Sequence, residues 1–585
     1  MLQKKPAKKS QSVLAGAFIL TASTIIVKII GACFKIPIGK ILGGVGNSYF
    51  EAAYALYNPI DSLAVSGLPI AVSRTVSENV AKKKFSDARL VYKASIPIFL
   101  VTGILGFLVM MFGAFYYSKL INSPNAIFAT LTLSPTIFFS CLMSVYRGYY
   151  QGLRNMVPTA ISEVIEALSK LVFGLFFAFA IVFCGMNEYK THRTVFGKSF
   201  SSESLAENAI LPFAASGAIG GITIGSIIAF LFLLFYYKKT KDGITKQELK
   251  KSPKSKSLKS TIKLLIKLSF PIGLGALIMN VGCLIDTIVV RKQLYNIMEI
   301  SSKSLLFLYG DNIPQDKIAS GQVHEFLSGC FGYVSSIVML MPGVTQMFGI
   351  SALPAVTTAW VLKDKEKLKK NVETIIKITS IFSIPTGVGL SIFGGEILNL
   401  LYGGARFREV NIASQIIAIM GIAAIFTSMS NPLCSMLQAI GRTDIPVKLL
   451  LVGVSLKIFF NYILVGTPQI NIKGAGVGTL ICYSFVFISS IFFLCKECKF
   501  LLNISSLFLK PIIASIVSSF ISLNFNEIFL KLTYRNLSII ATLFIFLVVY
   551  LAMLFVLGIL KARDLSFFKT LGKNNKNLLY KSPPS

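Results

Sequence analysis

Fourteen stretches of about twenty predominantly apolar residues follow one another along the chain, and a stretch of that length matches one environment above others. At about 1.5 Å per helical residue, twenty residues cross the roughly 30 Å hydrocarbon core of a bilayer. The stretches fall near 12–38, 48–73, 91–117, 124–146, 156–184, 209–237, 264–290, 326–357, 372–402, 411–437, 445–465, 474–495, 507–523 and 537–560. Lipid offers no hydrogen bonds to a backbone, so stretches of this length must be helices. With only 14% charged residues, the chain is too apolar for a set of soluble domains. The expectation is an all-α polytopic membrane protein of about fourteen transmembrane helices.

The net charge of +33 would suit a nucleic-acid partner, but its distribution points elsewhere. Lysines crowd into alternate short loops: Lys82, Lys83 and Lys84 after the second stretch, 238–267 after the sixth, and 363–370 after the eighth. That alternation is the positive-inside bias of membrane topology, and it leaves no need for nucleic acid. It puts those loops, Lys4, Lys5, Lys8 and Lys9, and the lysine-rich tail 561–581 in the cytoplasm, on a multi-pass protein of a bacterial plasma membrane. The first apolar run continues through 13–38 with no convincing cleavage pattern, so it is read as a retained span. The longer outer loops, 187–208 and 292–325, are expected to be exposed.

Soluble catalysis finds no footing. There is no G-x-x-x-x-G-K-[ST] loop and no H-E-x-x-H, and the two histidines, His192 and His324, fall in the outer loops. No Ser-His-Asp or paired-carboxylate constellation sits in a plausible soluble pocket. Most of the nine cysteines lie inside apolar runs, and Cys495 with Cys498 is the one close pair, at a helix end. The pattern describes a transporter without resident metal or cofactor, its cycle coupled to membrane potential, Na+ or H+.

Three short patterns recur in the same order. Leu68-Pro-Ile-Ala-Val-Ser73 returns as Leu353-Pro-Ala-Val-Thr357, each before a basic loop. Gln151 to Pro158 returns as Gln438 to Pro446, and Gly217 to Gly225 as Gly474 to Thr479. Two six-helix lobes of parallel topology follow, with a substrate path expected between them near the midplane. The division reads 1–237 for the first lobe, 238–263 for a basic cytoplasmic linker, 264–500 for the second lobe, 501–560 for two extra helices and 561–585 for a basic tail.

Charges inside the apolar runs are the candidate site. A charge at the bilayer centre costs at least about 2.5 kcal/mol and normally faces the bundle interior. Lys28 and Lys35 lie seven apart and share one helix face, although either side chain has the length to snorkel to an interface. Aligning Gly31 with Gly282 through the repeat sets Lys35 against Asp286 and Lys40 against Arg291. Lys35 and Asp286 are thus expected to pair across the path in one conformation; two independent interface charges are the competing reading. Asp61, after Asn58-Pro59, is a candidate for ion or proton coupling. Glu163, Glu166 and Lys170 form one helical stripe in which Glu166 and Lys170 can pair, as substrate groups or as a helix-packing pin. Lys457 and Asn461 lie at comparable depth in the second lobe. Arg74, Arg147, Arg154 and Arg442 fall at cytoplasmic helix ends, where membrane orientation alone also accounts for arginine.

The order Lys28-Ile-Ile-Gly31 with Lys35, Gly43-Gly-Val-Gly46, Tyr57-Asn-Pro59, Ser66-Gly-Leu-Pro69 and Ser73-Arg-Thr-Val-Ser-Glu78 resembles the stage V sporulation protein B group, close to the MurJ-type lipid II flippases. Tyr150-Gln-Gly152, Pro158, Glu166, Lys170, the Ile285 to Arg291 segment and Leu437 to Pro446 are similar to the same group, so the likeness spans nearly the whole chain. The resemblance implies fourteen helices in a V of two lobes, a cationic cavity and a groove from the last two helices. It implies a membrane transporter that flips polyprenyl-diphosphate-linked sugars for peptidoglycan or polysaccharide synthesis, in vegetative cell-wall growth or sporulation, alongside cell-wall synthesis proteins. By position Lys28 and Lys35 match the basic residues of the first helix in that group. Leu63 stands at an otherwise basic position and the stretch before Pro342 lacks the expected arginine, so the cation cluster is not a direct copy. An ion-coupled multidrug exporter and a membrane scaffold for cell-wall synthesis are the alternatives.

Overall fold

The computed structural model describes residues 13–559 apart from 254, 256, 301, 405, 533 and 534. Lys4, Lys5, Lys8 and Lys9 and the tail 561–581 lie outside the described residues. The chain is helical almost throughout. The first half comprises α1 (Val13–Asp61), a π-helical turn (Ser62–Ser66), α2 (Gly67–Ala81), α3 (Phe85–Leu120), α4 (Ala126–Gly152), α5 (Val157–His192) and α6 (Glu203–Thr240). The short α7 (Lys246–Lys251) leads to α8 (Leu258–Ile300), α9 (Ser302–Tyr309), α10 (Gln315–Ala319), α11 (Val323–Val338) and α12 (Leu340–Val361). Then come α13 (Lys365–Tyr402), α14 (Phe407–Ala439), α15 (Asp444–Val465), α16 (Lys473–Cys498), α17 (Lys510–Leu532) and α18 (Arg535–Val556).

Twelve stretches among the described residues are long and apolar enough to cross a membrane, which makes the protein a multi-pass membrane protein. The fourteen expected from sequence differ from these at two places. The first of the twelve runs from Ile19 to Ala81, where two spans were expected, and it is broken by Gly43, whose φ of 62° no L-residue adopts easily inside a helix. The seventh expected span is the 43-residue α8, which is not among the twelve.

The longer outer loops, expected to be exposed, are in part buried, at Tyr309, Lys317, His324 and Glu325 among others, because they fold into regular elements. Within 187–208, α5 continues to His192 and a two-residue hairpin, β1 (Thr194–Val195) with β2 (Lys198–Ser199), precedes α6, whose first turn is capped by the Ser202 hydroxyl. Most of 292–325 is α8, α9, α10 and the start of α11. The basic segment after α6 is fastened as well. Arg89 of α3 binds Asp242 through both carboxylate oxygens at 2.5 and 2.8 Å, and the Tyr149 hydroxyl donates to the same carboxylate at 3.1 Å. Burial alone would raise the Asp242 carboxyl, but these donors and the Arg89 charge hold it below its usual range.

Matching helix pairs pack in the two halves: α3 on α4 and α5 on α6 in the first, α13 on α14 and α15 on α16 in the second. The last pair, α17 and α18, packs on α13. Contact this close depends on glycine. A methyl group on Gly221 of α6 would collide with the Gly174 backbone of α5. The halves meet tightly at two places: Gly329 of α11 lies so near the Gly44 carbonyl of α1 that a side chain there would overlap it, and a side chain on Gly67 of α2 would overlap the Ser269 carbonyl of α8. One apolar core joins both halves around Gly44 and Gly329, including Leu42, Val45, Phe326, Tyr333, Tyr402 and Ile416.

Overpacking of a tight core costs about 1–3 kcal/mol. Gly221→Val is therefore expected to lower the apparent Tm of the purified protein in detergent by several degrees. Gly113→Ala, with no atom near its new methyl group, is expected to leave Tm unchanged or slightly higher, because alanine favours helix over glycine by about 1 kcal/mol.

Candidate functional site

A cleft of about 250 Å3 lies where the halves diverge from the Gly44–Gly329 contact, with Glu51, Tyr54 and Asn58 of α1 on one wall and Asp286, Arg291 and Lys457 on the other. Membrane-embedded charges tolerate this position because each can find a partner or water. The partners differ from those the repeat suggested.

Lys35 forms an ion pair with Glu51, beyond the Gly43 break in the same helix, and its ammonium lies 4.5 Å from the centre of the Phe50 ring. Asp286 instead binds Lys457 at 2.9 Å and accepts the Asn461 amide at 2.5 Å, joining α8 to α15. The expected Lys35–Asp286 pair is thus not made in this structure, because each charge has a nearer partner within its own half. Asn461 is fully buried and its amide oxygen sits against Gly478, where no side chain would fit. Arg291 is 3% exposed and donates to the Ser48 carbonyl at 2.8 Å, so it pins α8 to α1 rather than facing open solvent.

In the first half the stripe on α5 divides differently as well. Glu166 pairs with Arg147 of α4 at 2.9 Å and accepts Ser226 of α6 at 3.1 Å, while Lys170 donates to the Tyr54 hydroxyl at 3.0 Å. The expected Glu166–Lys170 pair is not formed; both side chains are drawn off their own helix. Lys170 lies over the rings of Phe34 and Tyr54 at 4.9 and 5.3 Å, a cation–π arrangement that suits an ammonium in a dry setting. Glu163 accepts the Ser23 hydroxyl at 3.0 Å, and Asp61 accepts Tyr57 at 2.9 Å one residue before the π-helical turn. Arg147 therefore does more than mark a helix end. Arg442 pairs with Glu497 at 2.8 Å, Arg154 occupies a left-handed turn, and Arg74 is exposed on α2.

Lys28 stands apart. It is exposed on α1, its ammonium lies beside Gly343 of α12, and among the described residues it makes no ion pair. Lys35, Arg147 and Lys457 each hold a carboxylate and Lys170 a phenol, whereas Lys28 holds neither among the described residues. Sequence reasoning missed Glu51 and Tyr54. Glu51 carried a signal, a carboxylate inside an apolar run; Tyr54 carried none. Among the described residues no cluster of histidine, cysteine and carboxylates has the makings of a metal site.

Residues 13–184 match the family model of a polysaccharide biosynthesis protein, and residues 332–545 that of the lipid II flippase MurJ. The chain is 24% identical to the lipid II flippase MurJ of Bacillus subtilis (strain 168) over 486 residues, 81% of each chain. It is 22% identical to stage V sporulation protein B of the same organism over 477 residues, 80% of each. A solved lipid II flippase MurJ in an inward closed conformation superposes with a TM-score of 0.59 at 17% identity, over 94% of this chain and 99% of that one. An inward-facing multidrug resistance MATE family transporter of the MOP superfamily gives 0.60 at 15% identity, over 83% and 98%. The family resemblance read from the sequence holds, and the MurJ proteins among these relatives are flippases, transporters rather than enzymes.

Removing one partner of a buried ion pair costs about 3–5 kcal/mol, whereas replacing both by apolar groups costs little. Lys457→Met or Asp286→Leu alone should therefore lower Tm sharply, and the double variant should recover most of the loss. Lys35→Glu should be rescued by Glu51→Lys and not by Asp286→Lys, as read by thermal unfolding in detergent.

Proposed function

We propose that this relative of the MurJ-type lipid II flippases and of stage V sporulation protein B translocates an undecaprenyl-diphosphate-linked cell-wall or polysaccharide precursor, lipid II-like, from the inner to the outer leaflet by alternating access. The observation that carries the reading is the state of the two lysines of α1: Lys28 free of any ion pair among the described residues, and Lys35 held by a single carboxylate, Glu51. A diphosphate offers several strong acceptor oxygens and needs fixed cations to replace its hydration. Lys28 is available to it directly. Lys35 becomes available when phosphate oxygens displace Glu51, so binding exchanges an internal counter-ion for the substrate.

The repeat and the matching helix pairs support two lobes, 1–237 and 264–500, rocking about the cleft, with 238–263 as linker and α17 and α18 as an appendage. In this proposal the termini and the basic loops are cytoplasmic in a bacterial plasma membrane, by the positive-inside bias. The end closed by Gly44 and Gly329 then faces outward. A charge of about −2 leaving an inside-negative cell gains roughly 2.3 kcal/mol per charge per 100 mV, so potential can drive the cycle without ATP. Asp61 and Glu163, each bonded only to a hydroxyl among the described residues, are the groups for any H+ or Na+ coupling. Cell-wall synthesis proteins are the expected neighbours of such a flippase.

An ion-coupled multidrug exporter is the second reading, favoured by the comparable fold match to a MATE family transporter and by the same two carboxylates. Lys28 and Lys35 oppose it, since a cavity selecting cationic drugs needs acidic groups to dominate.

Charge-assisted hydrogen bonds contribute about 1.5–3 kcal/mol, so Lys28→Ala and Lys35→Ala are each expected to weaken lipid II binding by purified protein about tenfold or more. Unchanged binding in both variants would overturn the proposal. Wild type should also sustain growth of cells depleted of their own lipid II flippase, and both variants should fail to.

A further inference from the structure

The break at Gly43 is bound by two side chains from the opposite half. Arg406, just before α14, donates from Nε to the Lys40 carbonyl at 3.1 Å and from Nη2 to the Ile41 carbonyl at 3.2 Å. Both terminal nitrogens also reach Glu207 of α6 at 3.4 Å. One turn on, Glu409 accepts the Gly44 amide at 3.4 Å and lies 3.8 Å from Arg406. An interrupted helix presents carbonyls at one end and amides at the other, and favours a cation at the first and an anion at the second. Arg406 and Glu409 supply these charges in the right order. A methyl group on Gly43 would meet the guanidinium at 2.7 Å, so glycine is required there for space as well as for its positive φ.

The surrounding seam is not otherwise a permanent one. Among the described residues, Ser48 Oγ, Arg291 Nη1 and Ser328 Oγ are buried there with no protein hydrogen-bond partner. Buried unpaired polar atoms oppose closure, and water would satisfy them once the halves part. Closure is therefore a balance between these groups on one side and, on the other, the glycine contacts and the caps on α1.

We propose that Arg406 and Glu409 are a removable double cap on the break of α1, the pin that holds this end of the cleft shut in the substrate-free state. Neither residue touches the cleft, so both act as positioning residues for the transport cycle. This rests on the reading of the chain as an alternating-access transporter. Opening withdraws both side chains together, since both sit at the start of α14, and leaves the α1 termini to water.

The test places nitroxide labels on a keto amino acid at positions 198 and 411, both exposed and on opposite halves at this end, leaving the native cysteines untouched. Full-length protein in nanodiscs is then examined by double electron–electron resonance without substrate. Wild type should give one short distance. Arg406→Gln should raise the fraction at a longer distance about threefold or more, and Glu207→Gln, which leaves Arg406 in place, should do so to a smaller extent. Arg406→Lys, which keeps the charge but cannot span both carbonyls, should fall between wild type and Arg406→Gln. Distances unchanged in Arg406→Gln and Glu207→Gln would overturn the cap. Lipid II binding by the same samples and by Lys28→Ala and Lys35→Ala separates the two ideas: unchanged distances with binding lost in these lysine variants reject the cap and keep the flippase, whereas shifted distances with normal binding in both lysine variants keep the cap and reject the flippase.

Discussion

An ammonium or carboxylate in a membrane-embedded bundle is costly without a partner or water, and most features of the cleft follow from how this chain provides one. Lys35 takes Glu51, Lys457 takes Asp286, Arg147 takes Glu166, and Lys170 settles on a phenol and two aromatic faces. Each of these contacts stays within one half, so these pairs survive a separation of the halves. Pairs made across the cleft, such as Lys35 with Asp286, would resist that motion. The contacts that do cross include glycines in backbone contact, Arg291 on the Ser48 carbonyl, the Arg406–Glu207 ion pair, and Arg406 with Glu409 at the broken helix. Most of them gather at the end closed by Gly44 and Gly329; a second backbone contact between the halves, Gly67 of α2 against Ser269 of α8, lies away from this end.

The break at Gly43 links the two systems. It sets Lys35 and Glu51 on the two helical segments either side of the break, close enough to pair although sixteen residues apart. The same break exposes the backbone groups that Arg406 and Glu409 cap. A change at the break would alter the Lys35–Glu51 contact and the cap together, giving a physical route between cleft and gate about one helix segment long.

The fold was largely legible in the sequence because membrane helices announce themselves by length and apolarity, with little dependence on distant residues. The ordered segments within 187–208 and 292–325 were not, since short polar helices such as α10 carry no such signal. The charged residues were also visible, as expensive anomalies in apolar runs. Their partners were not. Depth along a helix can be read from sequence position, but which neighbouring helix turns which face toward a charge depends on packing, and Arg147 reaches Glu166 only because α4 lies against α5. The repeat aligned Lys35 with Asp286 by position and misled about contact, because pseudo-symmetry relates equivalent places and does not bring them together. Gly43 stood in a glycine-rich run read as a motif, while its role as a helix break needed the backbone.

The central claim is that a diphosphate lipid crosses through this cleft, drawn by its charge. Proteoliposomes containing the purified protein and a fluorescent undecaprenyl-diphosphate sugar, with a potassium-valinomycin potential imposed across the bilayer, measure that crossing directly through quenching of label that reaches the far leaflet. The account predicts quenching faster than in protein-free vesicles, accelerating when the destination side is positive and slowing when the potential is reversed. Quenching no faster than in protein-free vesicles at any potential would contradict it.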